Sequence, residues 1–176
     1  TMIENRSKKE LEISKIILNY LKEIEDDNSI LKGNLLKEKE KQFILNDLNA
    51  FIIGLIADQS VKAEIAWSLP YKLSQRMESF NITEILNKYN QEDLENFIKA
   101  KPALHRYPSR MANYIYNAFL ELHKNYNSNA ENIWQNKTAA EIVETLESFK
   151  GISHKKAALG TLILVRDLEK DILDKE

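Results

Sequence analysis

Apolar residues recur at steps of three and four along most of this chain, and short polar clusters or prolines interrupt them. Ser7-x-x-Glu10 has the capping-box spacing, and Ile13, Ile16, Ile17, Tyr20, Leu21 and Ile24 follow it on one helical face. That helix is predicted to end near Asp26-Asp27-Asn28. Residues 28 to 46 are lysine-rich with scattered leucines, which predicts a loop with a helical stretch inside it. Asn46 or Asp47 then caps a strongly apolar helix carrying Leu48, Phe51, Ile52, Leu55 and Ile56, which stops at Asp58-Gln59. Ser60 is the expected cap of a helix with Val61, Ile65, Ala66 and Trp67. Pro70 is expected to close that helix or open the next, because proline is at home only in a first turn.

Shorter helices come next. One starts at Asn81 or Thr83 and carries Ile82, Ile85, Leu86 and Tyr89, and another spans about 92 to 100. Pro102 breaks the chain, and Ser109 is expected to cap a long helix with Met111, Tyr114, Ile115, Ala118, Phe119 and Leu122 on one face. Asn125 to Asn129 is a polar loop, and Trp134 falls on a short turn. Thr138-x-x-Glu141 is a second capping box, opening a helix with Ile142, Val143, Leu146 and Phe149. That helix runs into Gly151, a basic cluster, and an apolar run from Ala157 to Val165. The pattern predicts eight to ten helices packed as one all-α domain over residues 1–176, with an N-terminal helix and loop (1–45), a helical core (46–134) and a helical hairpin (138–172).

Composition agrees and narrows the chemistry. Only 4 glycines and 3 prolines break the 176 residues, against 30% charged and 43% hydrophobic residues. With no cysteine, the chain offers neither disulfides nor thiolate ligands for zinc or an iron–sulfur cluster. His105, His123 and His154 lack metal-ligand spacing with a carboxylate, so no metal site is predicted. No apolar run reaches the ~18 residues of a membrane span, and an intracellular, membrane-free monomer is the expectation. The formal net charge is −2. Basic residues nevertheless gather at 101–110 and 150–156, enough for one basic face.

Two stretches carry candidate chemistry. In the first, the hairpin turn, Lys150, Gly151, Ile152, Ser153, His154, Lys155 and Lys156 surround the start of a helix. Helix N-termini carry unpaired N–H donors and partial positive charge, so such a turn seats an anion such as a phosphate. Gly151 supplies the positive φ of the turn, and Ile152 is expected to plug into the core. The second is Ala57-Asp58-Gln59-Ser60, where the apolar helix ends in polar residues and Gln59 is expected at a protruding corner. An amide there can enter a DNA stack and hydrogen-bond an orphaned base. Each stretch also has a plain structural reading, as an αα-turn with solvated lysines and as an Asx-capped helix corner.

Taken together, Phe51-x-x-x-Leu55-Ile-Ala-Asp-Gln-Ser and the downstream Leu146-x-x-Phe149-Lys-Gly-Ile-Ser-His-Lys-Lys-Ala resemble the helix-hairpin-helix DNA glycosylase superfamily of endonuclease III, closest to archaeal-type members. The resemblance covers about residues 46 to 168 and is most specific at 57–60 and 151–157. It implies a multi-helix glycosylase-like fold acting on double-stranded DNA that is damaged or abasic. Gln59 takes the place of the wedge that fills the gap left by a flipped base. Gly151-Ile152-Ser153 takes the place of the hairpin's Gly-hydrophobe-Gly, and Lys155 that of the nucleophilic lysine. Arg106 to Arg110 and the helix after them are similar to the family's helix leading to the hairpin. The implied reaction is attack of a neutral lysine amine on C1′ of a flipped nucleotide, giving a Schiff base.

The sequence also departs from the pattern. The family's aspartate follows the second hairpin helix in an Asp-x-His context, which this sequence lacks. Asp167, Asp171 and Asp174 are expected to be solvated surface charges. An iron–sulfur cluster is implied only if further sequence supplies cysteines. Ser153 replaces the second turn glycine, at a steric cost wherever a positive φ is needed. These departures suggest a glycosylase fold cut short or degenerate. Three functions stay open: a base-excision glycosylase, a non-catalytic DNA-binding module of the same fold, and a helical protein-interaction module.

Overall fold

A computed structural model describes residues 36–166, and among them the chain is all-helical, with nine helices and no strand. In chain order these are α1 (Glu38–Asn46), α2 (Leu48–Ala57), α3 (Ala63–Met77), α4 (Ile82–Lys88) and α5 (Gln91–Lys99), then α6 (Pro108–Asn125), α7 (Glu131–Trp134), α8 (Ala139–Glu147) and α9 (His154–Arg166). The predicted helix after Ser7, and Asp167, Asp171 and Asp174, lie outside the described residues.

α2 explains the architecture. Its sequence is apolar on every side, and every residue but Asn49 is buried. A helix with no polar face has to be surrounded, and α1, α3 and α6 pack around it. Phe51 of α2 meets Trp67 of α3 with ring centroids 5.6 Å apart and Trp134 of α7 at 6.5 Å. Of the remaining pairs, α1 packs against α3, α3 against α5, α6 against α4 and α5, and α8 against α7 and α9. Asn49, the polar exception in α2, fixes the loop before α7. Its amide donates to Ser128 O at 2.9 Å and its carbonyl accepts from Ala130 N at 2.8 Å.

Most element starts follow the expected caps. Asp47 accepts from Asn49 N at 3.0 Å and Asn81 from Glu84 N at 3.0 Å, resolving the two open choices. Thr138 and Glu141 form the expected capping box at the start of α8. Asn90 and Asp93 form another, which places the start of α5 at Gln91.

Within residues 28 to 46, expected as a loop with a helical stretch, 38–46 form that helix as α1, and its Ile44 is fully buried. Other expectations need correction. Ser60 does not cap α3. It takes a left-handed φ of 59° in the connecting turn, and Lys62 is the N-cap without a side-chain bond. Pro108 occupies the first helical position of α6, so Tyr107 rather than Ser109 is the N-cap; proline's fixed φ suits that position and its missing N–H is not needed there. Pro70 neither ends nor opens a helix, because α3 runs through it. The interior proline costs about 3 kcal/mol. Trp67, Leu69, Leu73 and Met77 are fully buried on the same helix, at roughly 1.5–3 kcal/mol each, so burial outweighs the lost hydrogen bond.

Candidate functional site

Glycines decide how closely other elements approach α2. A Cβ on Gly54 would sit 2.5 Å from Trp67 Cε3, so the indole lies flat on the bare backbone of α2. A Cβ on Gly160 would sit 2.7 Å from Leu55 Cδ2, so α9 crosses α2 at Gly160. Asp58 follows Gly54 by four residues and Leu55 by three, at the C-terminal end of the same face. Lys156 precedes Gly160 by four residues and so shares its face of α9. The crossing brings Asp58 and Lys156 to one end of the α2–α9 junction, where their charges attract each other.

Both groups are half-buried, and burial sets their chemistry. It pushes the Lys156 ammonium down from its ordinary value, partly offset by the Asp58 charge. It pushes the Asp58 carboxyl up, opposed by Lys156 and by the Trp67 indole beside it. Desolvation thus disfavours the charged form of each. The buried Trp67 indole N–H is directed at the Asp58 carboxyl and favours its ionised form.

His105 borders the same end and is only 3% exposed. Its Nδ1 accepts from Tyr107 N at 3.0 Å, which places the ring proton on Nε2 to donate to Ala57 O at 3.0 Å. Both nitrogens are committed. Burial lowers its pKa, and the positive charges of Lys156 and Arg110 lower it further. His105 is therefore a neutral clamp on the last carbonyl of α2. Next to it, two exposed guanidinium groups approach the Tyr107 ring, Arg110 at 4.5 Å and Arg106 at 5.4 Å from its centroid.

The turn between α8 and α9 has the expected glycine conformation, with Gly151 at φ 90°. It also has an unexpected neighbour. A Cβ there would lie 2.5 Å from Tyr114 Cδ2, so a ring of α6 covers the turn. Ile152 plugs the core at 5% exposure, as expected. The positive φ of the turn falls on Gly151 and not on Ser153. Ser153 instead caps α9, its Oγ accepting from Lys156 N at 3.2 Å, and so does not pay the steric cost foreseen for a serine there. His154 pairs through Nδ1 with Glu147 on α8. Lys150 and Lys155 are exposed. Gln59 is half-buried and folds back, its Nε2 donating to Ile56 O at 2.7 Å.

The structure thus brings Lys156 to the end of α2 at Asp58, the neighbour of Gln59, and leaves Lys155 facing solvent. Trp67 is core, although its N–H borders the site, and Tyr71 packs edge-on against Phe43 of α1 at 5.8 Å. Sequence reasoning missed Asp58 as a partner, His105, Arg110 and Tyr114. The only signal for Asp58 was a carboxylate closing an otherwise apolar helix. A separate cleft of about 340 Å³ beside Ile65, Ser68, Lys72 and Arg76 includes none of the predicted residues. Among the described residues no cluster of three His, Asp or Glu could hold a metal ion, and no helix is long and apolar enough to cross a membrane. The chain supplies no thiolate for an iron–sulfur cluster. Comparison with family models, curated proteins and solved structures finds no match.

Proposed function

We propose that this chain is a DNA-binding domain of the helix-hairpin-helix glycosylase kind, with α8, its turn and α9 as the phosphate-gripping hairpin. The observation that carries this reading is the meeting of two segments far apart in sequence. The corner at Asp58-Gln59 and the first turn of α9 share one end of α2. A DNA-handling site needs a backbone grip and a probe of the helix interior side by side. The Lys155 backbone N–H at the start of α9 is available as a donor to a phosphate. Lys150, Lys155, Arg106 and Arg110 are exposed cations. Gln59 then serves as the wedge once it swings away from Ile56.

In the fuller form of the reading, the chain is a base-excision glycosylase or abasic-site lyase in which a lysine attacks C1′ of a flipped nucleotide. That is amine chemistry and calls for no metal or redox group. Exposure of Lys155, the lysine expected from the resemblance, favours a non-catalytic DNA-binding module as the second reading.

Fluorescence anisotropy with duplexes containing or lacking an abasic site tests the proposal. Binding at about 50 mM salt should weaken steeply as salt rises. Lys150→Ala and Lys155→Ala should each lower the salt slope by about 1. Absence of duplex binding at low salt removes both readings.

A further inference from the structure

We propose that Lys156, with Asp58 as its proton partner, is the amine that forms a covalent imine with the aldehyde of an abasic sugar, and that the neighbouring Lys155 is not. This rests on the DNA-handling reading and names its reactive group. The placement is geometric. Gly160 on Leu55 sets the rotation of α9, so that the face bearing Lys156 turns to the end of α2 and Asp58, while Lys155 is exposed. Gly54 seats the Trp67 indole beside the same carboxylate, with its buried N–H directed at Asp58. His105 is saturated by Ala57 and Tyr107 and takes no part in proton transfer.

Burial acts on both groups in the direction the chemistry needs. It raises the share of Lys156 that is neutral amine and the share of Asp58 that is carboxylic acid. The Nζ lone pair attacks C1′ of the ring-opened aldehyde, and the carbonyl π pair moves to oxygen, which takes a proton from the Asp58 carboxyl. The carbinolamine nitrogen then gives a proton to the Asp58 carboxylate. Its lone pair expels the hydroxyl, which takes that proton and leaves as water. A protonated imine remains, with Asp58 ionised beside it. Amine, aldehyde and one proton become iminium and water, with no oxidant or reductant.

The test maps the labelled lysine in the full chain by peptide mass spectrometry after borohydride trapping with two probes, salicylaldehyde and an abasic-site duplex. Both should mark Lys156. Lys156→Arg should abolish trapping while keeping the charge and the thermal melting profile, Lys155→Ala should retain it, and Asp58→Asn should slow it about 100-fold. DNA trapped on Lys155 or Lys150 overturns the assignment and leaves the DNA reading standing. Salicylaldehyde spread over the exposed lysines also overturns it. DNA that neither binds nor cross-links, with salicylaldehyde still on Lys156, removes the DNA reading and upholds the reactive pair.

Discussion

Two polar junctions tie this helical chain together, and they are built differently. At the first, Arg76 of α3 reaches the end of α5. Its Nη1 donates to Phe97 O at 2.5 Å and Ala100 O at 2.8 Å, and Nη2 to Pro102 O at 2.6 Å. Carbonyls at a helix C-terminus lack partners within the helix, and a cation suits that negative end. At the second, the end of α2 meets α9. His105 closes its bonds there as completely as Arg76 does, but Asp58 and Lys156 stay half-buried without forming a close ion pair. A junction selected only for stability saturates its donors and acceptors. One that keeps a half-buried amine and carboxyl gives up stability.

The comparison can be broken most forcefully through the seat of the indole. Gly54→Val drives a side chain into fully buried Trp67, and a loss of about 3 kcal/mol in denaturant unfolding is expected. Salicylaldehyde selectivity for Lys156 should be lost with it. Arg76→Ala leaves three carbonyls without their donor and should cost about 2 kcal/mol in the same measurement, with trapping at Lys156 unaffected. The double change Asp58→Asn with Lys156→Met should leave stability unchanged or raise it by about 1 kcal/mol, because a desolvated charge pair is replaced by uncharged groups that cost less to bury. A large loss there would make the α2–α9 junction structural like the first, and the contrast would fall.

The smallest effect is expected from His105. Its folded pKa lies below the ordinary 6.5, so the unfolded chain binds the extra proton first as pH falls. Its stabilising contribution is complete above about 6.5 and is lost as pH drops toward the folded value. Asp47 and Asp58 are shifted upward from 3.8, which gives the opposite slope further into acid. Thermal melting should therefore show a decline just below pH 6.5, and His105→Asn, which keeps a donor and an acceptor, should flatten it.

Much of the fold was legible because helix signals are local. Asp47, Asn81 and the Thr138–Glu141 box announce helix starts through atoms two or three residues away. Gly151 announces its turn in the same way. Pro70 misled because the burial that carries α3 through it comes from distant residues. The site was legible by half: its two stretches stood out, but the partnership of Asp58 with Lys156 spans most of the described chain and leaves no periodic trace.

What the sequence alone determined, then, was a string of helices and the presence of adjacent lysines at the start of the last one. Which lysine meets the protein interior was a tertiary decision. Successive residues on a helix point about 100° apart, and the rotation of α9 is set by Gly160 lying on Leu55. A local pattern specifies that a helix exists, but its rotation about its own axis is set only by the surface it packs against.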